Sequence, residues 1–154
     1  MPTKVVERLQ LQDYLPYRLS VAANAVSRLI ARAYEAQFGL TIPQWRVMAV
    51  LGDEGALTQQ SLCGRTLMDK VTVMRAAQGL TRRRLVKRQP NAQDGRSHRL
   101  DLSPSGYELY CKVIPLAREY ESQLLAGLKA TDVALLHRLL RQVESAATAN
   151  NERV

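Results

Sequence analysis

The hydrophobic period changes only once along this chain of 154 residues, and that change limits the architectures open to it. Leu85-Val86-Lys87-Arg88-Gln89 and Ser97-His98-Arg99-Leu100-Asp101-Leu102 read as two strands, with Pro90-Asn91-Ala92-Gln93-Asp94-Gly95 as turn chemistry between them. The product is one β-hairpin with a basic tip. On both sides of it the apolar spacing is helical. Leu15, Leu19, Ala22, Val26, Leu29 and Ala33 recur in steps of four and three; Pro16 suits the first turn and Gly39 a left-handed stop. Thr41-Ile42-Pro43-Gln44 reads as a capping box opening a second helix that carries Trp45, Met48 and Leu51.

Two more caps precede the hairpin. Thr58 opens a short helix from Gln59 to about Arg65, anchored inward by Leu62, and Asp69 opens a helix from Lys70 to Arg84. Val73, Ala76, Ala77 and Leu80 give the latter its buried face, and Gly79 in its interior costs about 1 kcal/mol against alanine, so packing must support it. After the hairpin, Ser103 and Pro104 start a helix striped by Leu109, Val113, Leu116 and Tyr120, with a bend expected at Pro115. Gly127 marks a break. A last helix from Thr131 carries Leu135, Leu136, Leu139, Leu140 and Val143, and the tail from Thr148 to Val154 is expected to fray.

Charge narrows the function. The chain has 22 Lys and Arg against 14 Asp and Glu, a net charge of +8. Between Arg65 and Arg99 stand ten basic residues and only two acidic ones, Asp69 and Asp94, so the whole surplus lies in under a quarter of the chain. Such concentration is the footprint of a polyanionic partner, nucleic acid first and an anionic membrane second. No apolar run approaches the roughly 18 residues of a membrane span, and Met1–Gln10 is too polar for a signal peptide, so a cytoplasmic protein is expected. Two cysteines and two histidines lack metal-ligand spacing, which argues against zinc or another metal cofactor. The chain also lacks G-x-S-x-G, a phosphate-cradling glycine loop and H-E-x-x-H, which argues against an enzyme.

Short helices, a tight turn, a helix with basic and polar residues near its N-terminus and then a hairpin form a winged helix-turn-helix. A helix about 10–12 Å across fits the major groove of DNA, and an arginine-bearing hairpin can reach the adjacent groove. Asp94-Gly95-Arg96-Ser97, then Leu100-Asp101-Leu102-Ser103 and Gly106, resemble the wing and following helix start of the MarR family of bacterial transcription regulators. Thr72-Val73, Arg75, Leu80 and Leu85-Val86-Lys87-Arg88 stand at matching distances, and the resemblance runs from about Leu15 to Val143. One departure is Arg84, where the family usually carries glycine.

The expected fold is therefore mainly α with a small β-wing. A winged helix-turn-helix lobe at 41–103 stands between helical dimerisation arms at 12–38 and 104–147, within one domain spanning 1–154. The resemblance implies a homodimeric repressor that binds a pseudo-palindromic double-stranded operator, with half-sites about 34 Å apart. Arg96 would enter the minor groove, and Asp94 would hold the tip in shape by pairing with a nearby arginine. Lys70, Thr72 and Arg75 would approach the major groove. Arg82, Arg83, Lys87, Arg88 and Arg99 would position the phosphates, Arg99 from the wing itself; Arg82 to Arg84 equally suit a solvated turn answering the helix dipole.

The resemblance further implies a small, anionic aromatic effector between the arms and the lobe, on segments carrying Tyr14, Tyr17, Arg18, Tyr34, Trp45 and Arg46. Ordinary core packing is the competing reading of Tyr34 and Trp45. Two other possibilities remain at this stage: a constitutive architectural DNA-binding protein, and a thiol sensor built on Cys63 or Cys111. Against the second, both cysteines read as small buried residues.

Overall fold

A computed structural model describes residues 8–153, so seven of the ten residues of Met1–Gln10, and Val154 at the end of the tail, lie outside the described residues. Its elements are α1 (Leu15–Phe38), α2 (Ile42–Glu54), β1 (Leu57–Thr58), α3 (Gln59–Thr66), α4 (Lys70–Arg82), β2 (Val86–Pro90), β3 (His98–Leu102), α5 (Pro104–Leu125) and α6 (Ala130–Asn151). The described residues through Ile114 form one compact unit and those from Pro115 a second. That division falls inside α5, at the proline that removes a helical N–H donor.

The helix starts are set by local chemistry. The Thr41 hydroxyl accepts from the Gln44 backbone N–H at 3.3 Å while the Gln44 side chain accepts from the Thr41 N–H at 3.1 Å, completing the capping box. Thr58 accepts from the Ser61 N–H at 3.1 Å, Asp69 from the Thr72 N–H at 2.9 Å and Ser103 from the Gly106 N–H at 3.0 Å. Each satisfies an N–H group that the first turn cannot pair internally. Gly39 ends α1 at φ 61°.

The first unit buries Leu40, Val47, Met48, Leu51, Leu62, Val73, Leu80 and Val113 almost completely. Gly79 lets α4 approach α2: a Cβ there would stand 2.6 Å from Gln44 Nε2, in the capping box itself. This close approach is the packing that offsets the low helix propensity of that glycine.

The sheet has three antiparallel strands in the order β1-β3-β2 rather than the hairpin alone. Leu57 and Thr58 pair with Leu100 and Arg99, while Val86 faces Leu102 and Pro90 faces His98. Within it Val86, Leu100 and Leu102 are buried but Lys87 and Arg88 are exposed, so β2 leaves the core after its first residue while β3 stays in it from Leu100.

Two boundaries differ from expectation. Helix α4 stops at Arg82 because Arg84 adopts φ 58°, a left-handed turn into β2. This conformation explains why a glycine suits the position. The Arg84 carbonyl accepts from the hydroxyls of Ser103 at 2.6 Å and Ser105 at 3.1 Å, which fixes the turn against the start of α5. Arg84→Gly is expected to relieve about 1–2 kcal/mol of backbone strain and return part of it through unfolded-chain entropy. A net rise in Tm of about 2 °C should be measurable by thermal unfolding.

Helix α6 continues through the tail expected to fray, ending at Asn151. Ala146, Ala147 and Ala149 carry high helix propensity into that stretch. No residue of α6 is buried, and Leu135, Leu136, Leu139, Leu140 and Val143 each leave 37–45% of their surface exposed. Among the described residues no helix is long and apolar enough to cross a membrane.

Candidate nucleic-acid interface

Helix α4 owes its orientation to its buried face. With Val73, Ala76, Ala77 and Leu80 turned inward, a step of 100° per residue directs Val71, Arg75, Gln78 and Arg82 outward. Lys70 is exposed beside them. Thr72 lies on the flank, and its hydroxyl donates to the Asp69 carboxylate at 2.6 Å. That bond and the Thr72 N–H hold the Asp69 carboxyl below its ordinary value. A lowered carboxyl pKa means the cap is intact at neutral pH and is lost only as acidification carries the pH below the usual carboxylate range. Thr72 thus works first as part of the cap, and its donor is already engaged.

Between α3, α4 and the wing lies an open cleft of about 1190 Å³ whose walls include Lys70, Arg82, Arg88 and Arg96. These four cations come from α4, β2 and the wing turn, and the fold brings them to one concave surface. Its positive charge suits a phosphate-lined edge of duplex DNA.

The wing tip is braced by its own hydrogen bonds. Asn91 donates from its backbone to the Ser97 carbonyl at 3.2 Å and from its side chain to the Ser97 hydroxyl at 2.8 Å. The Asp94 carboxylate accepts the Arg96 backbone N–H at 3.0 Å. The expected pairing of Asp94 with an arginine side chain is replaced by this local turn. Its effect is still to fix Arg96, whose side chain is exposed at the cleft rim.

Three of the expected phosphate contacts are placed elsewhere. The Arg83 guanidinium donates to the Gly39 and Phe38 carbonyls, each at 2.9 Å, and so satisfies orphan acceptors at the end of α1. It couples α4 to α1 and is a positioning residue. Arg99 donates to the Ala56 carbonyl, tying β3 to the segment before β1. Lys87 lines a smaller groove with Asp101 and Tyr107, away from the cleft that its neighbour Arg88 faces. The alternation of a strand separates the two side chains.

Of the expected effector residues, Tyr34 and Trp45 meet within the chain. Tyr34 is 1% exposed and meets Trp45 edge-on at 5.6 Å, while Tyr110 stacks on the other side of Trp45 at 5.9 Å. Tyr34 is therefore core, and Tyr110 is a neighbour that its distance in sequence concealed. Arg18 is exposed and donates to Gln12 at 3.3 Å, and Tyr14, Tyr17 and Arg46 are exposed as well. Neither cleft is lined by Tyr17, Arg18, Tyr34, Trp45 or Arg46.

Cys63 is half-buried at the cleft wall, and Cys111 is exposed on α5, which corrects the expectation that both are buried. Among the described residues, no group of three or more His, Cys, Asp or Glu is arranged to hold a metal ion.

Comparison with known proteins places this surface in context. The sequence model of the MarR family matches residues 38–97. The HTH-type transcriptional repressor NicR of Pseudomonas putida is 28% identical over 144 residues, spanning 86% of this chain and 89% of NicR. The crystal structure of a probable transcriptional regulator from Pseudomonas aeruginosa is similar at a TM-score of 0.78 and 30% identity, covering 87% of this chain and 99% of that one. BpsR of Bordetella bronchiseptica, whose DNA binding is regulated by 6-hydroxynicotinic acid, shares the fold at a TM-score of 0.82 and 22% identity, covering 90% and 98%.

Proposed function

The chain belongs to the MarR family of transcriptional regulators, a family of regulators and not of enzymes, and we propose that it acts as a homodimeric repressor on a pseudo-palindromic operator. One observation carries this reading: the cleft that gathers Lys70, Arg82, Arg88 and Arg96 on a surface opening to solvent. On this reading α4 enters the major groove with Lys70 and Arg75, and the wing sends Arg96 into the adjacent minor groove, where negative potential attracts a guanidinium. Arg82 and Arg88 hold phosphates and fix the register. The lobe at 41–103 serves recognition, and the helical segments at 12–38 and 104–147 pair two copies.

Dimerisation is supported by the apolar side chains that α1 and α6 leave uncovered, Leu15, Val21 and Leu29 on one and the four leucines from Leu135 to Leu140 on the other. Two copies related by a two-fold axis present two copies of the cleft to one face of the duplex.

Release by a small anionic aromatic acid is supported by the regulation of BpsR by 6-hydroxynicotinic acid. In this chain the half-buried Trp45–Tyr110 stack, with Tyr107 6.0 Å from Tyr110, offers aromatic surface to such a ring. The acid acts by binding better to a form whose two α4 helices no longer match the half-sites.

The test is binding to duplexes selected by the protein from a random pool. Arg96→Ala is expected to weaken binding by about 1–3 kcal/mol with thermal stability unchanged. Native affinity in this variant removes the wing from the interface. Addition of 6-hydroxynicotinate or a phenolic acid to the native complex is expected to release the DNA; a complex indifferent to all of them removes the effector from the proposal.

A further inference from the structure

Across residues 41–103, the large apolar side chains left exposed are Leu67, Val71 and Met74, with 78%, 50% and 37% of their surface accessible. All three fall within eight consecutive positions, in the turn before α4 and its first turns. Their surroundings are cationic or polar: Lys70, Arg75 and Gln78 are exposed on the same stretch. The buried face of α4 is already filled by Val73, Ala76, Ala77 and Leu80, so Val71 and Met74 have no place in the core.

Leu67 adds a second observation. It caps α3 at φ 55°, a left-handed conformation where glycine is the least strained choice. A large side chain at this site brings backbone strain and exposes apolar surface in water, and neither is offset within the chain.

A partner that approaches through this cationic surface has to be an anion with apolar groups on its contact face. Base edges in the major groove of DNA offer one such group, the C5-methyl of thymine. Resting on the DNA-binding reading above, we propose that Val71 and Met74, with Leu67 at the entrance, form an apolar row that reads thymine methyl groups in each half-site. Arg75 and Gln78 on the same outward face supply the polar contacts beside it. The row makes the operator selective for thymine at positions where hydrogen bonding alone does not discriminate.

Deoxyuridine lacks only that methyl group, which makes the proposal testable one atom at a time. A selected duplex is remade with each thymine replaced in turn by deoxyuridine, and its affinity for the native protein and for Val71→Ala and Met74→Ala is measured. The native protein is expected to lose about fourfold in affinity at one or two thymines of each half-site, the effect of one buried methyl. Each variant should lose that sensitivity at one of these positions while keeping it at the other. Native binding unaffected by deoxyuridine at every position overturns the proposal and leaves the DNA-binding reading intact. Sensitivity that both variants retain also overturns it, since other side chains then read the methyls. A protein that binds no duplex overturns both readings together.

Discussion

Gly106→Ala is expected to destabilise this protein by about 3 kcal/mol or more, because the added methyl group meets backbone and not a yielding side chain. A Cβ built on Gly106 lies 1.9 Å from the Leu85 carbonyl oxygen and 2.9 Å from its carbon. Neither atom is a flexible side-chain end; both belong to the backbone that leads into β2. The same Leu85 carbonyl accepts the Ser103 N–H at 3.0 Å, and the Arg84 carbonyl next to it is held by two serine hydroxyls. Relief of the clash therefore means pulling the first turn of α5 away from the root of the wing and breaking those bonds. Chemical denaturation should show the lost stability as a lower midpoint. A variant as stable as the native chain contradicts the close approach described.

Charge placed in the apolar stripe of α6 should have the next largest consequence, this time on DNA binding. Leu136 and Leu139 leave 43% and 45% of their surface exposed, on a helix that buries nothing within the chain. On the proposed dimer, Leu136→Glu with Leu139→Glu sets carboxylates against an apolar partner surface, where desolvation of the charge opposes association. The mass in solution should fall from twice 17.3 kDa to that of a single chain. Affinity for a two-half-site operator should fall by about a thousandfold, because the second half-site is no longer engaged intramolecularly. The fold of the lobe at 41–103 contains neither residue, so its circular dichroism and its weak binding to a single half-site should persist. A double variant that remains dimeric and binds the operator normally removes α6 from the interface.

The distribution of legible and illegible features follows the range of the forces involved. Thr41, Thr58, Asp69 and Ser103 could be read as caps because a cap acts over three residues, within one local stretch of sequence. The inward set of α4 was equally legible from its spacing, and with it the helix itself. Strand β1 was not: Leu57 and Thr58 show no period of their own and become a strand only by pairing with β3, over forty residues on. The same distance hid the partners of two arginines. Nothing near Arg83 or Arg99 in the sequence announces carbonyls at Phe38, Gly39 and Ala56, so both are expected at DNA phosphates.

Rotation set the remaining limit on the candidate site. The resemblance implies major-groove roles for Lys70, Thr72 and Arg75 alike, and a helix surface read from sequence is uncertain by one position. The structure turns Thr72 to the flank and exposes Val71 and Met74, whose apolar character gave no reason to expect them outside. The signal was present in Val73, Ala76, Ala77 and Leu80: once these point inward, the outward set is determined. At Arg84 the departure from the family glycine was visible in the sequence, while its meaning, a left-handed turn, emerged only from the backbone.

The central claim is that the surplus positive charge forms a shaped surface for duplex DNA, and the dependence of affinity on salt measures that directly. With about six to ten phosphates neutralised per dimer, affinity for a selected operator should fall by a factor of about 10³–10⁵ between roughly 50 and 200 mM salt. An affinity that stays constant across the same range contradicts the claim.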